Sequence, residues 1–198
     1  PLSMSNLKIN HKYGVFEVGM SKLGEINKLS KIIKPHLGII TNIGEAHLEN
    51  FKNINGIAKA KSEIIDNIEN NGTIILNHDD KFFNYHNKKA KLRNLKVVTF
   101  GKTKKSDVYP IKIQKFEGIN KITIKVRDEI IKLKIKDINI SNILCSLAVL
   151  KEFKLSLNKI IKLVDKFYPS DGRGKMHKIK RYNKLFKLID ESYNANPL

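Results

Sequence analysis

Short apolar segments alternate with helical segments through the first half of the chain, and this alternation most constrains the fold. Three segments have the length and apolar character of buried strands: "LGIITNI" (37–43), "GTIILN" (72–77) and "KVVTFG" (96–101). Apolar residues recur at helical spacing in the stretches between and beside them, 24–33, 55–68 and 78–91. Strands that alternate with helices in this way are typical of a parallel sheet. The segment "KYGVFEVGM" (12–20) alternates as well, and we expect a further buried strand there.

The pattern changes in the second half of the chain. Residues 109–136 alternate with a period near two and carry turn signals at 117–118 and 127–128, which predicts an antiparallel meander. Two helices are expected at 140–153 and 156–167, followed by a Pro/Gly-rich turn at 168–176 and one more strand from 185. The prediction is an α/β fold with a mostly parallel sheet, flanked by helices, and a small antiparallel β meander.

Composition narrows the function classes. The 198 residues contain no apolar run near the ~18 needed to cross a membrane. The single cysteine fits a reducing cytoplasm, and we expect a cytoplasmic protein without membrane partners. A net charge of +19 raises the alternative of a basic nucleic-acid-binding module. Only four of the 38 basic residues are arginine, however, and the lysines are spread along a chain also rich in Ile and Asn. Biased base composition explains this better, so we expect no nucleic-acid partner.

Several polar residues stand where strands or helices end. Glu17 closes the first expected strand and His47 follows the second, and ligands of open α/β sheets bind outside the carboxyl ends of strands. A carboxylate and an imidazole at one edge can share a metal ion, although a solvated loop acid and a surface or helix-capping histidine are the simpler interpretations. Lys61 lies among apolar residues of a predicted helix, where a solvated lysine is the simpler interpretation. Asn142 fits a helix N-cap. Arg173, between two glycines in "GRG", has a ligand-binding and a structural interpretation of equal weight.

The combination of motifs is more specific than its parts. "FEVGMSKLGEINKLSKIIKP", "IITNIGEAHLENF", "IAKAKSEII", "LNHDD", "GRGKMHKI" and "DESYNANP" occur in this order and resemble the Mur ligases, ATP-dependent amide ligases of peptidoglycan synthesis. The resemblance covers nearly the whole chain. Its first and last motifs resemble the family member that joins D-alanyl-D-alanine to a UDP-N-acetylmuramoyl-tripeptide. It therefore implies an ATP-dependent ligase with these two substrates, working through an acyl phosphate, and we expect a monomer.

The resemblance implies a metal site at the strand ends. By similarity, Glu17 ligates the Mg²⁺ that bridges the ATP phosphates, and His47 ligates a second Mg²⁺. Lys61 corresponds to a lysine that CO₂ converts to a carbamate, a carboxylate-like anion that helps to hold the second metal. Hard oxygen ligands suit Mg²⁺, whereas an ammonium would repel it.

The resemblance also implies nucleotide contacts. Asn142 corresponds to the first asparagine of the family's His-Asn-x-x-x-Asn segment, in which Ser141 and Cys145 replace the histidine and the second asparagine. Arg173 corresponds to a hinge arginine that reaches the ATP phosphates. Asp190, Asn194 and Asn196 correspond to a segment that brings the third domain of the family onto the nucleotide.

The same similarity predicts how the chain is organised. Residues 1–171 are expected to form the central ATPase domain, and 172–198 the hinge and first strand of a C-terminal domain. No Gly-x-x-Gly-Lys-Thr/Ser loop occurs in the sequence, so the phosphate-binding loop is expected upstream and the fragment is expected to be inactive alone. A sibling Mur-type ligase or a folylpolyglutamate synthase is the alternative within this class.

Overall fold

A computed structural model of the chain describes residues 2–45, 50–116, 119–135, 139–164, 171–172 and 174–193. It divides into two compact units, residues 1–99 and 100–198. Hydrogen bonding orders the strands of the main sheet as β1-β2-β3-β4-β5-β6, and β7 and β8 form a second sheet. No helix in the described ranges is both long and apolar enough to cross a membrane.

The first unit contains the alternating strands and helices that the sequence predicts. After a 3-10 turn at Leu2–Asn6 its elements are α1 (Glu25–Ile33), β1 (Leu37–Ile40), α2 (Ile54–Lys61), α3 (Glu63–Asp66), β2 (Thr73–Asn77), α4 (Phe83–Leu92) and β3 (Lys96–Phe100). Strands β1 and β2 are parallel, in a register that runs from Leu37 opposite Thr73 to Ile40 opposite Leu76. At the start of β3, Lys96 N donates to Gly72 O at 3.0 Å.

The core of this unit lies between the strands and the helices that connect them. Fully or nearly fully buried side chains from both kinds of element form one cluster, including Ile40, Ile57, Ile65, Ile68, Ile74 and Leu76. Each buried Ile or Leu contributes roughly 1.5–3 kcal/mol to folding. Gly38 of β1 permits the close approach, since a Cβ there would lie 2.7 Å from Ile68 Cδ1.

The helix predicted over 55–68 is interrupted at Ser62, which separates α2 from α3. The Ser62 hydroxyl donates back to Lys59 O at 2.7 Å, and its own carbonyl accepts from Lys89 Nζ at 3.0 Å. Ile65 N bonds to the same carbonyl, three residues back, at 3.1 Å. A side chain that competes for backbone groups in this way is a known cause of helix interruption.

The strand predicted over 12–20 is wrong. Residues 13–20 form no strand, and Val15 is 93% exposed. Alternating apolar residues favour a strand only where a neighbouring strand supplies hydrogen bonds and a core covers one face. Strand β1, at the edge of the sheet, pairs with β2 alone among the described residues. Glu17 accordingly lies in an exposed irregular segment rather than at a strand end.

The second unit contains the predicted meander. Its elements are β4 (Val108–Phe116), β5 (Ile119–Val126), β6 (Glu129–Ile135), α5 (Ile140–Glu152), α6 (Leu157–Val164), β7 (Lys175–Arg181) and β8 (Lys184–Asp190). Strand β4 runs parallel to β3, with Val108 opposite Phe100, and antiparallel to β5, which is antiparallel to β6. The α/β class with a parallel sheet and an antiparallel meander is therefore confirmed.

One face of the meander is buried against helices. The inward residues alternate along β5 and β6 and comprise Ile122, Ile124, Val126, Ile131, Leu133 and Ile135. Helix α5 packs against β4 and β5, and α6 packs against β6. Strands β7 and β8 form an antiparallel hairpin around Tyr182 and Asn183, whose positive φ angles suit a tight turn. Strand β7 was not predicted, because the sequence reading placed a turn at its start.

Candidate active site at the end of strand β1

Lys61, the last residue of α2, reaches the loop that follows β1. Its Nζ donates a hydrogen bond to the carbonyl oxygen of Asn42 at 2.9 Å. The side chain is half-buried, whereas that of Lys59 is exposed, which is the difference in orientation that about 200° of helical rotation predicts. Burial lowers the pKa of the Lys61 amine, and the negative charge of Asp80 opposes that shift. Burial therefore favours the neutral amine, the form that acts as a nucleophile.

Asp80, in the loop after β2, holds the same part of the chain from the other side. Its Oδ2 accepts the N–H of Ile43 at 2.7 Å, and its Oδ1 accepts the N–H of Phe82 at 2.8 Å. The carboxylate thus joins the ends of two parallel strands. Sequence reasoning noted the "LNHDD" motif but assigned Asp80 no role. An aspartate two residues before a backbone donor is the signal that identifies such a turn.

Glu63, the first residue of α3, lies two positions after Lys61 and binds the N-terminus of α1. Its Oε1 accepts the N–H of Gly24 at 2.7 Å and its Oε2 accepts the N–H of Asn27 at 2.9 Å. These donors lie at the N-terminus of α1, whose own N-cap residue, Gly24, has no side chain to cap it. A carboxylate is favoured at a helix N-terminus, so Glu63 supplies the missing cap from a distant part of the sequence. Sequence reasoning assigned no role to this residue.

His86 of α4 is buried directly beneath α2. Its Nε2 lies 3.2 Å from the carbonyl oxygen of Ala58, an atom that can only accept, so Nε2 carries the proton. Burial lowers the pKa of the imidazole; the Ala58 carbonyl and Asp80 act in the opposite direction, and Lys89 and Lys61 lower it further. The ring is therefore held neutral, as a structural tie between two helices.

The predicted metal ligands are only partly described. Glu17 is exposed, Lys61 is held as above, and His47 lies outside the described residues. Within the described ranges, no group of three or more His, Cys, Asp or Glu residues is arranged to hold a metal ion. The shared site of Glu17, His47 and Lys61 remains a prediction.

The predicted nucleotide contacts begin at α5. Asn142 is exposed in the first turn of α5, where its backbone carbonyl accepts a hydrogen bond from Ser146 Oγ at 2.8 Å. The N-cap is Asn139, which sequence reasoning missed, and its Oδ1 accepts the N–H of Ser141 at 2.9 Å. Cys145 is buried, and burial raises the pKa of its thiol to about 12. Its side chain therefore belongs to the core.

The remaining predicted residues lie near the end of the chain. Asp190, the last residue of β8, accepts the N–H of Gly172 at 3.1 Å and the hydroxyl of Ser192 at 2.6 Å. The Ser192 hydroxyl is the main cause of the lowered pKa of this carboxyl group. Asp190 thereby ties the end of β8 to Gly172. Arg173, Asn194 and Asn196 lie outside the described residues.

Comparison with known proteins identifies the family to which this chain is similar. Residues 1–150 match the model of the Mur ligase middle domain. The chain is 36% identical over 200 aligned residues to the UDP-N-acetylmuramoyl-tripeptide–D-alanyl-D-alanine ligase of Buchnera aphidicola from Acyrthosiphon pisum, covering 99% of this chain and 43% of that protein. Three curated relatives match 99% of this chain, and the chain spans less than half the length of each of them.

Solved structures agree. A crystal structure of MurF from Acinetobacter baumannii superposes with a TM-score of 0.83 at 30% identity, over 96% of this chain and 41% of that one. MurF from Thermotoga maritima in complex with ADP superposes with a TM-score of 0.78 at 25% identity, over 91% and 41% of the two chains.

The match over residues 1–150 is to the middle domain of a known class of ligases. The chain belongs to the Mur ligase family. Within that family, the Buchnera protein described above is named as a ligase of UDP-N-acetylmuramoyl-tripeptide and D-alanyl-D-alanine, and both solved structures are named MurF.

Proposed function

We propose that this chain is the nucleotide-binding part of an ATP-dependent ligase that adds D-alanyl-D-alanine to a UDP-N-acetylmuramoyl-tripeptide. The observation that carries the proposal is 36% identity to a ligase of that name along 99% of the chain. The relative from Thermotoga maritima that binds ADP supports the use of ATP. A folylpolyglutamate synthase is not favoured, because the relative and the structure described above are named as a D-alanyl-D-alanine ligase and as MurF.

The chemistry is an activation followed by an amide-forming step. The tripeptide carboxylate attacks the γ-phosphorus of ATP and releases ADP, which leaves an acyl phosphate. The amine of D-alanyl-D-alanine then attacks the acyl carbon, loses a proton and expels inorganic phosphate. Two Mg²⁺ ions, when bound, would neutralise the charge on the transferring phosphoryl group.

The contact made by Lys61 supports this role. Lys61 is half-buried at the strand end, and a carbamate on its nitrogen would keep one N–H for the Asn42 carbonyl that it already contacts. Glu17, His47 and carbamoylated Lys61 are the proposed metal ligands, and Asn142, Arg173, Asp190, Asn194 and Asn196 the proposed nucleotide contacts. The proposed protein is cytoplasmic and monomeric and has no nucleic-acid or membrane partner.

The test is ligation by the protein in its complete form. Incubation with ATP, Mg²⁺, UDP-N-acetylmuramoyl-tripeptide and D-alanyl-D-alanine should release ADP and yield the pentapeptide product, detected by mass spectrometry. Omission of either substrate should abolish the product. Turnover with a folate and glutamate, but none with the dipeptide, would overturn the proposal. Salt-sensitive binding of random duplex DNA without any ligation would favour the nucleic-acid alternative.

A further inference from the structure

A single peptide group lies between Lys61 and Asp80. The carbonyl of the Asn42–Ile43 peptide accepts from Lys61 Nζ at 2.9 Å, and the N–H of the same peptide donates to Asp80 Oδ2 at 2.7 Å. An ammonium and a carboxylate thus bind the two ends of one dipole. Hydrogen bonds to charged groups are stronger than neutral ones, and bonds in a chain polarise one another.

The carboxylate that holds the peptide is itself fixed. Asp80 follows the buried strand β2, and its second oxygen accepts the N–H of Phe82 at 2.8 Å, two residues along the same turn. Both oxygens therefore have backbone donors, one local and one 37 positions away. A side chain bound at both oxygens has little rotational freedom, so it can define where the Asn42–Ile43 peptide lies.

The peptide has little freedom on its other side. The Ile43 side chain is 8% exposed and belongs to the core cluster of the first unit. The peptide N–H therefore points to Asp80 while the side chain stays in the core, and the carbonyl is directed to Lys61. Loss of the carboxylate would leave this donor without its partner and allow the peptide to rotate.

We propose that Asp80 is a positioning residue for Lys61, acting through the Asn42–Ile43 peptide. The carbonyl that it orients accepts equally from an amine and from the remaining N–H of a carbamate, so the same contact serves both states of the lysine. The inference deepens the proposed function and rests on it for the catalytic role of Lys61. The positioning itself rests on the two hydrogen bonds of the Asn42–Ile43 peptide.

The test uses the 198-residue chain and needs no catalysis. Limited acetylation at one pH, followed by peptide mass spectrometry, measures the labelling of Lys61 relative to that of Lys59 in the same molecule. Asp80→Asn keeps the shape of the side chain and removes its charge. It should speed hydrogen exchange at the Ile43 amide, which loss of the charge alone would not do, and raise the Lys61-to-Lys59 ratio several-fold. Asp79→Asn, which removes a neighbouring exposed charge, should change neither measurement.

Two further variants separate positioning from general support of the fold. Asp80→Glu retains a carboxylate and should restore most of the protection of Lys61. In a double-mutant cycle, the changes in the free energy of unfolding caused by Lys61→Met and Asp80→Asn should be non-additive. Those caused by Lys61→Met and Asp79→Asn should be additive.

The inference is overturned if Asp80→Asn leaves hydrogen exchange at the Ile43 amide unchanged, or raises the labelling of all lysines equally, since Asp80 would then not act on Lys61 through this peptide. These outcomes are independent of the substrates. A complete protein that fails to ligate D-alanyl-D-alanine would refute the proposed function and leave the labelling result standing.

Discussion

The side-chain nitrogen of Lys61 lies 2.9 Å from the carbonyl oxygen of Asn42, although 19 positions separate the two residues. The contact ties the C-terminus of α2 to the loop after β1. This contact distinguishes Lys61 from Lys59 on the same helix, because the side chain of Lys59 is exposed.

In the complete ligase, Lys61→Ala should lower ligation about 100-fold or more, as expected when a group that stabilises developing charge is removed. A short carboxylate such as acetate or formate, added in solution, should restore part of the activity. Lys59→Ala is the matched control and should stay close to the parent rate. Initial rates of ADP release measure all three. An inactive Lys59→Ala enzyme together with an active Lys61→Ala enzyme would contradict the assignment of this role to Lys61.

Replacement of Glu63 should destabilise the first unit. Glu63→Ala removes both acceptors from the N-terminus of α1, and we expect a loss of about 1–3 kcal/mol in the free energy of unfolding. Urea denaturation followed by circular dichroism measures it. Glu69→Ala removes an exposed glutamate from the following turn and should cost much less. Equal losses in the two variants would show that the cap contributes nothing.

The buried His86 should make stability depend on pH. Because burial lowers its pKa in the folded state, the unfolded chain takes up a proton near the ordinary histidine pKa of about 6.5 while the folded chain resists it. This contribution is complete above that pH. It is lost as the pH falls from about 6.5 towards the lower folded pKa, by at most ~1.4 kcal/mol per pH unit.

Denaturation midpoints between pH 8 and pH 5 would measure the effect. His86→Gln removes the titrating group and should flatten the curve below pH 6.5, whereas His36→Gln, at an exposed position, should leave it unchanged. A parent-like pH curve for His86→Gln would rule out the buried imidazole as its source.

Cys145 should be unreactive in the folded protein. Burial raises the pKa of its thiol to about 12, so at pH 8 the thiolate fraction is ~10⁻⁴, and the thiolate is the reactive form. An aromatic disulfide reagent should modify the native chain very slowly and the guanidinium-unfolded chain at once. Cys145→Ala is the blank. Rapid modification of the native chain would place the thiol at the surface.

Periodicity was sufficient for the elements whose partners lie nearby in the chain. The apolar runs that became β2 and β3 and the alternation that became the meander were predicted to within a few residues, because each pattern reports directly which face is buried. The inward orientation of Lys61 follows in the same way from helical geometry. The family followed from the order of the motifs.

Tertiary structure decided the features that depend on a distant partner. Residues 12–20 have the alternation of a strand and form none, because a strand needs a neighbour to take its backbone hydrogen bonds. The helix breaks at Ser62 partly because Lys89, 27 positions away, binds its carbonyl.

The sequence by itself thus determined the fold class, the family and the face on which Lys61 lies. Only the folded chain shows that Asp80 holds Ile43 across 37 positions and that Glu63 caps α1 across 39. The physical reason is that local periodicity specifies which side of an element is apolar, whereas a long-range hydrogen bond depends on where two elements meet in space.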